Sequence, residues 1–339
     1  MDESELLEAA RGGDEDAFAL LVEPHRTGLQ AHCYRMLGSV HDAEDALQDA
    51  LLRAWRGLSS FEGRSSFRHW LYTIATNACL RAIERRPKRV LPIDYGPPSD
   101  PHAGPGAPLV ESVWVGPYPD DRLGVEAGLG GPEARYEQRE SVELAFIAAL
   151  QLLPARQRAV LILRDVLGFS AHETAEVLDT TSTGVDSALQ RAHKAVDDRL
   201  PDRSQQSALS ALDDREMRKL VDGFVDAWER NDVDAVVAML TEEGTMTMPP
   251  LPTWYRGRQA VGEFLKGWPL RGGVAWRALP TGANGQLAAG FYLREGDDGP
   301  FRAHSINVLT LEDERIAEIT AFLDPELLPR FGLPTEIGH

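Results

Sequence analysis

DAEDALQDALLRAW at residues 42–55 and, after a connector containing FEGRSSF, RHWLYTIATNACLRAIERR at residues 68–86 put an acid-rich helix immediately before an aromatic, strongly basic one. In the first, Ala43, Ala46, Leu47, Ala50, Leu51, Ala54 and Trp55 recur at helical spacing, which turns Asp45, Gln48, Asp49 and Arg53 outward. In the second, Trp70, Leu71, Ile74, Ala78 and Ile83 make the packed side and leave Asn77, Arg81, Arg85 and Arg86 for a partner.

These residues resemble the second conserved domain of the extracytoplasmic-function RNA polymerase sigma factors, which carries DAEDxxQ followed by FRxWLYxIATNxCL. The resemblance implies that the acid-opened helix docks on the polymerase core, at the β′ clamp, with further contact to the β subunit. It assigns Asp45, Gln48, Asp49, Leu52 and Arg53 to that contact. It also implies that the next helix and its connector capture the melted minus-ten element, with Arg64, His69, Asn77, Arg81 and Arg85 near DNA. Trp70 and Tyr72 are then candidates for stacking on unpaired bases, because every base has a π face; the alternative for both is ordinary core.

A chain of 339 residues exceeds one ordinary core and suggests roughly two or three domains. No stretch is apolar enough to span a bilayer, and the acidic start MDESELLEAARGGDEDAF is unlike a signal region, so a cytoplasmic protein without membrane contact is expected. Cys33 and Cys79, the only cysteines, each fall on the apolar side of a helix without a CxxC or histidine cluster, so buried free thiols and no metal site are expected.

The net charge of −18 has to be divided along the chain before it says anything about partners. Residues 50–90 hold nine Lys or Arg against two acids, whereas residues 1–49 hold three against twelve. Little affinity for duplex DNA alone is expected until polymerase covers the acidic face.

From Gly96 to Pro132 sixteen of thirty-seven residues are Gly or Pro, which marks residues 91–136 as a linker between a domain at 1–90 and a second at 137–200. Trp114, Val115 and Tyr118 within it are too apolar for a solvated tether; they dock on a neighbouring domain or in a polymerase channel, or belong to a partly ordered loop.

The second domain has helix-turn-helix grammar. Ser170 and Glu173 form a capping-box pair, Asp179 to Thr181 make a polar turn, and another helix starts near Ser182. The start of that helix would enter the major groove, which makes Ser182, Thr183, Asp186, Ser187 and Gln190 candidate base readers and puts Arg191 and Lys194 on phosphate. The pattern LPxxQRxVLxLRxxxGFSxxExAxxL resembles the fourth conserved domain of the same sigma factors, which reads the minus-thirty-five element. Asp186, Ala188 and His193 stand where that family usually has basic residues, so strong autonomous binding upstream is not expected.

Residues 201–214 read as a short linker and 215–339 as a third domain: amphipathic helices followed by VAWRALP, QLAAGFYLRE, FRAHSINVLTL and RIAEITAFL, which alternate apolar and polar residues. The order resembles the SnoaL-like, ketosteroid-isomerase-like α+β cone. The expected fold is therefore multidomain, with two all-α helical sigma domains and a C-terminal α+β cone around a curved antiparallel sheet. Met248, Trp254, Tyr255, Trp276, Phe291, His304 and Phe322 are candidates for lining a pocket that takes a small-molecule ligand. For isomerase chemistry the candidates are His304, Arg302, Asn307, Asp324 and Tyr255, which do not make a complete acid, base and oxyanion set; no catalytic residue and no cofactor are assigned. The expected function is a sigma subunit that brings core polymerase to promoter DNA and aids melting, with the acid-rich cone regulating it. Alternatives are a SnoaL-like enzyme fused to helical targeting modules and a polymerase-independent helix-turn-helix regulator.

Overall fold

The computed structural model describes residues 2–63, 65–109, 113–123, 140–201, 203–296 and 298–338. It divides into two compact units: residues 1–89 with 122–200, and residues 90–121 with 201–339.

The first unit holds two helical modules. In the first, α1 (Glu3–Arg11), α2 (Glu15–Leu37), α3 (Val40–Gly57) and α4 (Phe67–Glu84) each begin on a side chain that accepts an orphan N–H of the first turn: Asp2, Asp14, Ser39 and Ser66. Gly38, at φ +67°, ends α2 in the left-handed conformation, and a β-carbon there would lie 2.9 Å from Gln151, so backbone and packing both call for glycine. Asp42, nearly fully buried, takes both Arg86 and Arg89, which ties the start of α3 to the chain after α4. Arg86 is thus committed to Asp42, contrary to the sequence reading that left it for a partner. Cys33 and Cys79 are buried free thiols, and burial, with Cys33 nearby, pushes the Cys79 thiol well up.

Residues 90–121 belong to the second unit, where α5 (Pro92–Tyr95) lies. The second helical module follows: α6 (Leu144–Leu152), α7 (Ala155–Leu161), a π-helical turn (Ile162–Val166), α8 (Ala171–Leu178) and α9 (Ser182–Asp197). The capping box of Ser170 and Glu173 opens α8, and Asp179 closes it at φ 51°.

The two modules meet along buried polar contacts. Gln151 donates to Arg35 O (3.0 Å), and Arg158 donates to Met36 O, Gln151 O (2.9 Å) and Leu153 O (3.3 Å). Arg35 itself donates to Ser141 O and Oγ (3.1 and 2.8 Å). Two carbonyls at the end of α2, those of Arg35 and Met36, are therefore satisfied by the second module. Burial pulls the Arg158 guanidinium down to about 10, so it remains charged at neutral pH.

In the second unit, α10 (Gln205–Ser210), α11 (Asp214–Glu229), α12 (Val233–Met239) and α13 (Arg258–Gly267) accompany a sheet of β1 (Leu240–Thr247), β2 (Trp254–Arg256), β3 (Val274–Ala283), β4 (Gln286–Glu295), β5 (Phe301–Glu312), β6 (Arg315–Phe322) and β7 (Glu336–Ile337). The order is β2-β1-β6-β5-β4-β3, with β7 on β5. All pairings are antiparallel except β1 with β6, so the sheet is mixed and the purely antiparallel expectation is corrected. Phe224 and Trp228 of α11 pack with Met246, Tyr255, Trp276 and Phe291 of the sheet's inner face in one apolar cluster.

Linker residues 90–121 lie on this unit. Trp254 Nε1 donates to Gly96 O (2.7 Å), Thr253 Oγ1 to Pro105 O (2.8 Å), and Tyr118 exchanges backbone and side-chain bonds with Asn284 (2.8 and 2.9 Å). Trp114, Val115 and Tyr118 are buried, so this stretch docks on the C-terminal unit.

On the outer face, the Glu318 carboxyl lies buried although the residue keeps some exposed surface, and it accepts from Thr320 Oγ1 (2.9 Å) and Thr247 Oγ1 (3.3 Å). Burial raises its pKa, the nearby Asp94 adds to the rise, and the two hydroxyls oppose it. A carboxyl raised on folding holds more protons folded than unfolded, so its contribution favours the fold at low pH and turns against it as pH climbs through the carboxylate range. Glu318→Gln should therefore stabilise the protein at neutral pH, and the gain should shrink toward 4.5, the group's ordinary value. Urea unfolding at about pH 7 and about pH 5 measures this; an equal gain at both would exclude the charge as its cause.

Candidate functional site

The apolar stripe of α3 packs inward through Ala43, Ala46, Leu47, Ala50 and Ala54. This turns Asp45, Gln48, Leu52 and Arg53 to the surface, with Asp49 half-buried beside them. Arg53 Nε donates to Asp49 Oδ2 (2.8 Å), and Arg81 of α4 lies 3.9 Å from the same oxygen. Next to these carboxylates runs a groove of about 620 Å³ between α2 and α3, lined by Phe18, Val22, Leu47, Gln48, Leu51, Leu52 and Trp55. Leu52 is 49% and Leu20 of α2 60% exposed. The five residues assigned to polymerase thus share one acidic face with an apolar furrow alongside.

The candidates on α4 are divided. Arg85 is exposed and Arg81 half-exposed, whereas Asn77 returns its amide to Thr73 O of its own helix (3.0 Å). Trp70 is half-buried against Phe61 and Phe67, with ring centroids 5.0 and 5.7 Å apart. His69 and Tyr72 are buried under the second module, where Phe169 stacks on His69 (5.2 Å, 16°) and meets Tyr72 edge-on (5.8 Å). Tyr72, for which the sequence offered base stacking or ordinary core, has no exposed surface here and packs as core. Arg64 lies outside the described residues.

On α9, Val185, Ala192 and Val196 pack inward. Ser182, Thr183, Asp186, Ser187, Gln190, Arg191 and Lys194 are all exposed on the opposite side. His193, also exposed, pairs with Asp165 and fastens this helix to the π-helical turn. Thr181 accepts the Gly184 N–H (3.1 Å), which leaves the first turn of the helix pointing into solvent.

The pocket candidates do not share one lining. Met248, Tyr255, Trp276 and Phe291 belong to the inner cluster, and His304 packs edge-on to Trp276 (5.1 Å) with its Nδ1 buried and unpartnered. Burial lowers the His304 pKa. Trp254 and Phe322 take the outer face, as their cross-strand partners Thr247 and Ile306 do, and Trp254 holds the linker. Asp324 caps Glu326 N–H (2.9 Å) and exposed Arg302 pairs with Glu336 (3.4 Å), so neither joins His304 in an acid–base set.

Phe169 and Arg158 were not singled out from sequence. Phe169 sits in a GFS turn that reads as ordinary helix-turn-helix spacing, and Arg158 in a polar LPARQR stretch that reads as surface. Only their tertiary partners distinguish them.

The α3 face is surplus to folding. Leu52→Ser should therefore change the unfolding free energy by less than about 0.5 kcal/mol, whereas Leu47→Ala, 5% exposed on the same helix, should cost about 2–4 kcal/mol. Urea titration of both variants measures the difference; a comparable loss for Leu52 would show that its surface packs in the folded chain.

Three stretches match protein-family models: residues 21–89 sigma-70 region 2, residues 143–196 sigma-70 region 4, and residues 221–319 a SnoaL-like domain. The chain is 43% identical over 332 residues to the ECF RNA polymerase sigma factor SigG of Mycobacterium tuberculosis, covering 96% of this chain and 86% of that one. It is 28% identical over 199 residues to the ECF sigma factor SigW of Bacillus subtilis, covering 58% of this chain and 95% of that one. The crystal structure of the M. tuberculosis extracytoplasmic function sigma factor SigJ shares the fold, at a TM-score of 0.55 and 24% identity over 91% of this chain and 97% of that one. No described helix is long and apolar enough to cross a membrane. With both sigma-70 regions in order and the likeness to SigG running along nearly its whole length, this chain belongs to the ECF RNA polymerase sigma factors and carries a SnoaL-like domain after region 4.

Proposed function

We propose that α3 docks this sigma subunit on core polymerase through Asp45, Gln48, Asp49, Leu52 and Arg53, and that α4 and α9 hold the two promoter elements. The observation that carries this reading is the acidic α3 face beside an apolar groove, followed within one connector by the basic end of α4. Exposed carboxylates give a partner's basic surface orientation and on-rate, and exposed Leu52 with the groove beside it gives it apolar area to bury. Arg81 and Arg85 then serve the unpaired strand, with Trp70 beside it. On α9, Ser182, Thr183, Ser187 and Gln190 face bases and Arg191 and Lys194 phosphates, while Asp186 is suited to accept from a cytosine amine.

The closed packing of the two helical modules in the free chain has to open for this work, because promoter elements are separated by duplex. The connection between the modules includes residues 90–121, which rest on the C-terminal unit. Regulation by the SnoaL-like domain then has a physical route: holding or releasing that stretch changes how far the second module reaches. A small molecule entering the inner face would meet Trp228 Nε1 and His304 Nδ1, both buried without a partner, and would bias that equilibrium by its differential affinity for the two states. Arg302 and Asp324, engaged elsewhere, favour this regulatory role over isomerase chemistry.

Transcription by purified core polymerase tests the reading. Charge reversal by Asp45→Lys with Asp49→Lys should lower holoenzyme affinity at least about tenfold while the chain stays folded, since like charge at a docking face costs several kcal/mol. Undiminished assembly would contradict it. In the same assay, Trp254→Ala, which removes the linker's indole anchor, should alter transcript yield at fixed holoenzyme concentration; equal yield at every promoter would remove the regulatory part.

A further inference from the structure

Phe169 occupies a clamp whose walls suit a flat ring with a polar edge. It follows the π-helical turn Ile162–Val166, a geometry common at functional sites, and Gly168, whose φ of +71° swings the chain toward α4. Its backbone is held at both ends: its N–H donates to Leu163 O (2.8 Å), and its carbonyl accepts from Arg164 Nη1. The ring stacks nearly parallel on His69 and edge-on to Tyr72. The Arg68 guanidinium lies 5.2 Å from the Phe169 ring and 4.9 Å from the Tyr72 ring, while Arg68 Nη2 donates to Leu167 O (3.4 Å).

Imidazole, phenol and guanidinium around a flat ring form a platform on which nucleobases stack irrespective of sequence. Phenylalanine supplies the π face and lacks the polar rim of a base. His69 Nδ1 is correspondingly buried without a hydrogen-bond partner, a cost that a base edge in the same place would relieve.

We propose that Phe169 is an intramolecular stand-in for an unpaired promoter base, filling the His69, Tyr72 and Arg68 clamp in the closed chain and leaving it when the second module moves to its own promoter element. The inference rests on the reading that α4 holds the melted strand. It adds that the free protein is kept from single-stranded DNA by occupancy of this clamp, so that apparent affinity falls with the fraction of chains whose clamp is open.

The test uses the full chain without polymerase and a DNA fork carrying 2-aminopurine in its unpaired strand, with binding followed by fluorescence. Phe169→Ala should bind the fork about tenfold more tightly than wild type, Phe169→Leu should move in the same direction, and His69→Ala added to Phe169→Ala should abolish the gain. Far-UV circular dichroism and cooperative melting establish that each variant is folded; if the alanine variant is not, the leucine variant decides. Folded variants that bind the fork no better than wild type overturn the proposal. So does an equal gain for fully paired duplex, which would report release of the helix-turn-helix alone. Photo-crosslinking of the unpaired strand in wild-type holoenzyme separates the two layers. Crosslinks to α4 without a gain on removing Phe169 condemn the stand-in only, while crosslinks that avoid α4 condemn the underlying reading and the proposal with it.

Discussion

A guanidinium inserted between two modules decides how this chain rests. Arg158 reaches from α7 to Met36 O at the end of α2 and also holds Gln151 O and Leu153 O. A helix end buried without partners leaves carbonyls unsatisfied, at about 1–3 kcal/mol each, so α2 is complete only while the second module is docked or water has replaced it. Gln151 on Arg35 O and the Arg35 fork on Ser141 belong to the same arrangement. The polar groups of this seam can be rehydrated on opening, and beside them Phe169 packs on His69 and Tyr72. A seam of this kind suits modules that are together in one state and apart in another, whereas a large apolar seam would fix them.

Much of this was legible in the sequence, for reasons that differ by element. The stripe on α3 and the capping box of Ser170 and Glu173 are local, set by helical period and by side chains three residues apart, so spacing alone located them. The exposure of the α9 residues proposed to read DNA followed from the inward positions of Val185 and Ala192. The buried aromatics of the linker were recognisable as too apolar for a tether, although composition left open whether a domain or a polymerase channel would cover them. Partners far apart in sequence were not legible. Nothing in β1 or β6 encodes that they run parallel, nor does anything in Arg86 announce Asp42. Trp254 and Phe322 were grouped with the inner aromatics because residue type does not report strand parity when a bend and a bulged register intervene. Phe169 and Arg158 are set apart by contacts with His69, Tyr72 and Met36, more than ninety positions away, and no periodicity reaches that far.

The charge distribution and the closed arrangement work in the same direction. The acidic N-terminal stretch would weaken the approach to duplex, and the second module covers His69 and Tyr72, so on the proposed reading DNA engagement in the free chain is opposed twice. Polymerase reverses both effects if it takes up the α3 face and holds the modules apart. The C-terminal unit enters through residues 90–121, which it carries on its own sheet. Control through a linker costs little, because its length and freedom set reach without altering either module.

The two helical modules, closed on each other in the free protein, must therefore separate in the holoenzyme. Energy transfer between probes placed at exposed Glu84, on α4, and Asp197, on α9, reports that distance directly. High transfer in the free full-length chain that falls when core polymerase is added is the predicted result. Transfer that is equally high in the holoenzyme, or already low in the free chain, would contradict it.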